Sequence, residues 1–205
     1  MNKSSRILNE IRLMFPNASC ELNYNNLFEL LIAVVLSAQT TDKRVNIVTS
    51  ELFIKYPNPS SLGNASYEDV YEIIKSLGLA KSKATNIIKL SQILEEKYSS
   101  IVPNTREQLE LLPGVGRKTA NAVLMEGFRI PAIAVDTHVS RVSKRLGLSN
   151  SDDVKVIEQD LMKLYNKEDW YFVHHGLLFF GRYFCLAKNP MCDKCPLKDI
   201  CNYKQ

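Results

Sequence analysis

The sequence predicts an all-α fold, and three features predict it. No stretch alternates apolar and polar residues with period two for long enough to build a sheet. Apolar residues recur instead at helical spacing along almost the whole chain. Cap-forming residues and glycine stops stand at the ends of those stripes.

Ile7, Ile11 and Met14 share one face of a first helix. Leu27 to Leu36 follows Asn25 and Asn26 and is apolar around most of its circumference, the pattern of a helix in the middle of a bundle. Ser66 is placed to cap a helix carrying Val70, Ile73, Ile74 and Leu77, which Gly78 ends. Ala84, Ile87, Ile88, Ser91 and Leu94 stripe the next one. Thr105 with Gln108 is a capping-box signature ahead of Leu109 and Leu112. Val139, Val142 and Leu146 mark a helix stopped by Gly147, and Val154, Ile157, Leu161 and Leu164 mark another. Trp170 to Phe180 reads as a last, aromatic helix, and turns are expected at Pro57 to Gly63, at Ile101 to Asn104 and around Pro131. A boundary near Pro131 lets the earlier helices close one bundle, with the first helix joining the later ones. That gives two helical lobes with a cleft between them: 22–132 in one, and 1–21 with 133–205 in the other.

With 205 residues, 45% of them hydrophobic, the chain can build one substantial core or two small ones. A net charge of +4 suits a polyanionic partner without demanding one. Residues 1–10 are polar and lack the apolar heart of a secretory signal. The longest apolar run, Leu30 to Leu36, is far short of the ~20 residues that span a bilayer. The expectation is a soluble, intracellular, cytoplasmic protein with no membrane partner, a monomer by default.

Leu112-Pro113-Gly114-Val115-Gly116-Arg117-Lys118-Thr119-Ala120 lies between two helical stretches. Proline and glycine force a tight reversal there, and the second helix starts near Gly116 or Arg117. Its first N–H groups lack intrahelical partners and suit a phosphate, which a glycine lets approach closely. The glycines alone favour a plain helix–helix turn that binds nothing.

Lys118 falls in the first turn of that helix. The positive end of the helix dipole, together with partial burial, would push an amine toward its neutral, nucleophilic form, able to make a Schiff base with a sugar carbon. Asp136, in Val135-Asp136-Thr137-His138, begins the next helix and is at the least an N-cap.

Cys20 stands alone, read as a small buried residue, whereas Cys185, Cys192, Cys195 and Cys201 crowd together with Cys-x6-Cys-x2-Cys-x5-Cys spacing. In a reducing compartment such a set points to metal before disulfides. Spacing alone does not separate zinc from a [4Fe–4S] cluster, although zinc ribbons usually carry two Cys-x2-Cys knuckles and only Cys192–Cys195 is one here.

The string Leu112 to Asn121, the string from Ala134 to His138 and the four-cysteine spacing together resemble the endonuclease III family of DNA-repair enzymes, over about Arg6 to Cys201. The resemblance implies a helix-hairpin-helix, with Gly114, Gly116 and Arg117 gripping the DNA backbone, Lys118 as nucleophile at C1′ and Asp136 as its acidic partner. It assigns Cys185, Cys192, Cys195 and Cys201 to a [4Fe–4S] cluster that orders its loop. Lys188, Lys194 and Lys198 beside that loop, and His138, could face DNA phosphates. Gln39, in Ser37 to Asp42, matches a residue that fills the gap left by an extruded base, and Leu79 matches an apolar wedge. Adenine-removing relatives lack a lysine at position 118 and carry a carboxylate where this chain has Ala33, Val34 and Val35. Certain thymine-mismatch relatives place a tyrosine at 118. The implied partner is therefore double-stranded DNA with damaged pyrimidines or abasic sites, cut by a glycosylase with AP-lyase activity.

Overall fold

Polar caps set most of the helix starts. In a computed structural model describing residues 2–203, Asn2, Asn26, Thr41, Asn58, Ser66, Thr105, Asp136 and Asp153 each accept a backbone N–H that the following helix leaves unpaired. The helices are α1 (Lys3–Met14), α2 (Leu27–Leu36), α3 (Asp42–Lys55), α4 (Pro59–Gly63), α5 (Tyr67–Ile74), α6 (Ala80–Tyr98), α7 (Arg106–Glu110), α8 (Arg117–Gly127), α9 (Thr137–Leu146), α10 (Val154–Leu164) and α11 (Trp170–Phe179). A π turn (Phe180–Phe184) continues α11, and short 3-10 turns follow at Cys192–Lys194 and Lys198–Ile200. Among the described residues there is no strand, so the fold is all-α.

Two compact units make up the chain, Glu21–Ile130 and the discontinuous pair Met1–Cys20 with Pro131–Gln205. Residues 1, 204 and 205 of the expected outer segments lie outside the described residues.

In the continuous unit α2 is the hub. Every residue from Phe28 to Leu36 is buried, including Glu29. The Glu29 carboxylate is tolerated because it accepts from Asn25 N at 2.7 Å, Asn25 Nδ2 at 3.0 Å and Asn26 Nδ2 at 3.2 Å, at the positive end of α2. Around α2 stand Val45, Leu52, Val70, Ile74, Ala84, Ile87, Leu90, Leu94, Leu109 and Val123. The other unit has its own core, in which Ile7 and Ile11 of α1 meet Val139, Val142 and Leu146 of α9, Ile157 and Leu161 of α10, and Val173 and Leu177 of α11.

Three local differences from expectation have simple causes. Helix α3, whose buried stripe Val45, Val48, Thr49 and Leu52 is interleaved with polar residues, goes unannounced by the apolar runs. The turn expected at Pro57 to Gly63 coils into α4, because Asn58 and Ser61 form a reciprocal capping box. Helix α5 ends at Ile74, ahead of Gly78, which serves instead as a point of close approach to the Gln39 loop.

Candidate functional site

The hairpin forms from α7, a tight turn and α8. Arg106 Nε donates to the fully buried Asn121 Oδ1 at 2.9 Å, tying one helix to the other. Leu112 and Val115 are buried and anchor the turn. Gly114 has φ +79°, and a Cβ there would lie 3.1 Å from Asn86 Nδ2 and 3.3 Å from Val35 Cγ1, so both conformation and space ask for glycine. Gly116 is the N-cap of α8, with no side-chain cap and nothing within 4 Å of where its Cβ would be. The start of α8 thus presents uncapped N–H groups beside open space, a geometry that accepts an anion.

Lys118 is the second residue of α8 and is exposed. The partial burial expected of it is absent.

Asp136 is half-buried and caps α9, its Oδ1 accepting from Val139 N at 2.8 Å. The cap reading of the sequence is therefore correct, and it fixes the carboxylate rigidly. Two residues on, His138 Nδ1 lies 3.3 Å from Arg141 Nη2. That guanidinium is drawn inward, donating to Gly181 O at 2.7 Å and Cys185 O at 3.2 Å, and burial lowers its pKa. Lys118 and Asp136 belong to different units of the chain.

Gln39 and Leu79 share an unusual backbone state. Both are exposed, with φ +54° and +60°, a left-handed region that glutamine and leucine seldom occupy. Leu79 stands at the N-cap position of α6 and makes no side-chain cap. Strained, exposed residues of this kind cluster at functional sites.

The thiols of Cys185, Cys192, Cys195 and Cys201 are half-buried, outside any disulfide, and line one cavity of about 80 Å³ walled by Leu146, Phe180 and Phe184. Arg145 Nη1 donates to Cys185 Sγ at 3.3 Å, and Cys201 Sγ donates to Arg145 O at 3.1 Å. Burial pushes the Cys195 thiol up, a backbone N–H at Leu197 works against this, and the three other thiols add to the rise. Among the described residues no three His, Cys, Asp or Glu side chains converge to hold a metal ion. The thiols share a cavity without gathering on one point in it. Beside the loop, Lys198 pairs with Asp193 at 2.8 Å, while Lys188 and Lys194 are exposed. Sequence reasoning missed Arg141 and Arg145, since a basic pair four residues apart reads as a solvated helix face.

The family model for the HhH-GPD superfamily base excision DNA repair protein matches residues 32–167. Endonuclease III of Bacillus subtilis is 52% identical over 97% of this chain and 91% of its own length. Endonuclease III of Escherichia coli K12 is 45% identical over 100% of this chain and 98% of its own. Among solved structures, a trapped endonuclease III–DNA covalent intermediate aligns with a TM-score of 0.94 at 51% identity, covering 98% of this chain and 96% of that one. A thermostable thymine-DNA glycosylase shares the fold, with a TM-score of 0.87 at 23% identity over 98% of this chain and 96% of its own. No helix among the described residues is long and apolar enough to cross a membrane.

Proposed function

As this chain belongs to the endonuclease III family of the HhH-GPD base excision repair superfamily and is a DNA glycosylase, we propose that it is a bifunctional one, removing oxidised pyrimidines such as thymine glycol and then cutting the strand as an AP lyase. The observation that carries this reading is the full-length likeness to a relative caught as a covalent intermediate on DNA, combined with an exposed lysine at the uncapped start of α8. A covalent intermediate needs a nucleophile, and in this reading Lys118 supplies it beside a DNA backbone gripped by Gly114, Gly116 and Arg117.

In the proposed reaction the neutral Lys118 Nζ forms a bond to C1′ as the glycosidic bond breaks, and the base leaves with the bonding electrons and takes up a proton. Asp136, held by its cap bond to Val139 N, offsets the positive charge developing on the sugar and serves as the proton acceptor and donor. Opening of the C1′–O4′ bond gives the imine. Loss of a C2′ proton then expels the 3′ phosphate with the electrons of the C3′–O3′ bond, and water hydrolyses the imine to free Lys118. Gln39 and Leu79 fill the gap left by the extruded nucleotide, and His138 lies on the same unit as Asp136 as a candidate phosphate contact.

We further assign Cys185, Cys192, Cys195 and Cys201 to a [4Fe–4S] cluster. Four thiols lining one cavity walled by Leu146, Phe180 and Phe184 support a shared metal centre, and the single Cys-x2-Cys knuckle, with spacing like that of the family's cluster loop, favours the cluster over zinc. When bound, it supplies a cross-link at four points of the loop.

Borohydride trapping on abasic duplex DNA tests the reaction. Wild-type protein is expected to cross-link, and Lys118→Ala to lose both cross-linking and strand cleavage while still binding DNA. Wild-type protein that cleaves nothing and never cross-links overturns the reading.

A further inference from the structure

Gln39, one of six non-glycine residues with positive φ among the described residues, is flanked by the two acceptors of one buried cation. Lys83, in the first turn of α6, is only 4% exposed, although Lys81 and Ser82 beside it face solvent. Its Nζ donates to Ala38 O at 2.6 Å and to Thr40 Oγ1 at 3.0 Å, the residues flanking Gln39. From the other side, Gly78 brings the Leu79 turn against the same loop, since a Cβ on Gly78 would lie 2.9 Å from Gln39 O. One turn beyond Lys83, Asn86 packs beneath Gly114 of the hairpin. The opening turns of α6 therefore support the Gln39 loop, the Leu79 turn and the hairpin together.

Both acceptors of Lys83 are neutral. Burying an ammonium without a carboxylate partner is unfavourable, and burial lowers the Lys83 pKa from its ordinary 10.5. A purely structural need at this spot would be met better by an apolar side chain. What an apolar residue could not supply is directional attachment to both sides of Gln39.

Resting on the reading of Gln39 and Leu79 as gap-filling side chains, we propose that Lys83 is a positioning residue that clamps the Gln39 loop to the Leu79 turn, so that the two side chains enter the base stack as one preformed device. Ordering both loops in advance removes an entropic cost that would otherwise fall at the moment of extrusion.

The test uses the full-length protein and stopped-flow fluorescence, on a duplex carrying a tetrahydrofuran abasic analogue beside 2-aminopurine. Lys83→Met is expected to slow the fluorescence rise about tenfold, a size typical of coupled neighbours, with a thermal midpoint no lower than wild type. In a Gln39→Ala background the same change should add no further slowing, because Lys83 acts through that loop. Thr40→Val, at a half-buried position, should slow extrusion in the same direction and to a smaller extent, and it keeps the test sharp if Lys83→Met folds poorly. Extrusion at the wild-type rate in both variants overturns the proposal, as does slowing that multiplies with that of Gln39→Ala. A flat trace from wild-type protein that does cross-link to abasic DNA with borohydride also overturns the proposal, whereas failure of the cross-link overturns the lyase reading on which it rests.

Discussion

Asp136 commits one carboxylate oxygen to the backbone, with Oδ1 accepting from Val139 N at 2.8 Å, and the proposed chemistry asks the same group to face a cationic sugar. Two substitutions separate these duties. Asparagine caps helices about as well as aspartate, so Asp136→Asn should hold stability to within roughly 0.5 kcal/mol while single-turnover excision falls about a hundredfold. Asp136→Ala removes cap and charge together, and should lose about 1 kcal/mol in denaturant unfolding besides the activity. Full excision by Asp136→Asn would reduce the residue to a cap. The sign of a pH effect follows at Lys83. Its folded pKa lies below the ordinary 10.5, so the unfolded chain holds that proton more tightly. Its buried charge therefore opposes folding at neutral pH, and that opposition fades as pH rises through the lowered value toward 10.5. At this scale the sequence was uneven in what it disclosed. The place of Lys118 in the first turn of α8 and the cap formed by Asp136 were legible because both are local, yet the exposure of Lys118 was not, since burial depends on residues remote in sequence. Lys83 was invisible for the same reason, its acceptors Ala38 and Thr40 lying more than a helix away.

Helix α9 and the π turn after α11 approach each other as closely as their atoms permit. A Cβ on the buried Gly181 would lie 3.0 Å from His138 Cβ, 3.0 Å from Val142 Cγ2 and 3.2 Å from His138 O. That approach lets Arg141 Nη2 reach Gly181 O at 2.7 Å and Cys185 O at 3.2 Å, so the helix capped by Asp136 is fastened to the segment leading into the cysteine loop. Gly181→Ala forces the two apart. Overpacking of this sort costs about 1–3 kcal/mol, and calorimetry should show a lower thermal midpoint, whereas an unchanged midpoint would mean that the contact yields freely. Helix starts were readable because caps are local, as with Asn26, Ser66 and Thr105. The π turn and the left-handed Gln39 and Leu79 were not, because no local preference of phenylalanine, glutamine or leucine selects those conformations and only tertiary contacts impose them.

The two units bury separate cores, and only one of them carries the cysteines. Among the described residues beyond Cys185, Leu197 is the one large apolar side chain buried completely. The rest of the loop is held by polar ties: Arg145 donates to Leu186 O at 2.7 Å and to Ala187 O at 3.1 Å and lies 4.1 Å from the Tyr203 ring centroid, and Asn202 N donates to Arg145 O at 2.8 Å. The fork of Arg6 on Asp199, at 2.7 and 2.8 Å, is exposed and worth little. On the proposed assignment, four thiols on a metal centre would cross-link this segment, which has so little core of its own. Protein purified without oxygen should accordingly contain iron and sulfide; zinc as its only metal would reassign the centre. Stripping the metal from the intact protein and following amide hydrogen exchange should speed exchange more than about tenfold from residue 185 onward. The increase should extend into α9 through the ties of Arg141 and Arg145, and into α1, whose Ile7 and Ile11 share that unit's core. Residues 21–130, closed around α2, should exchange as before. An equal rise in both units would mean that the cores are not independent, and no rise after Cys185 would mean that the polar ties suffice without a metal.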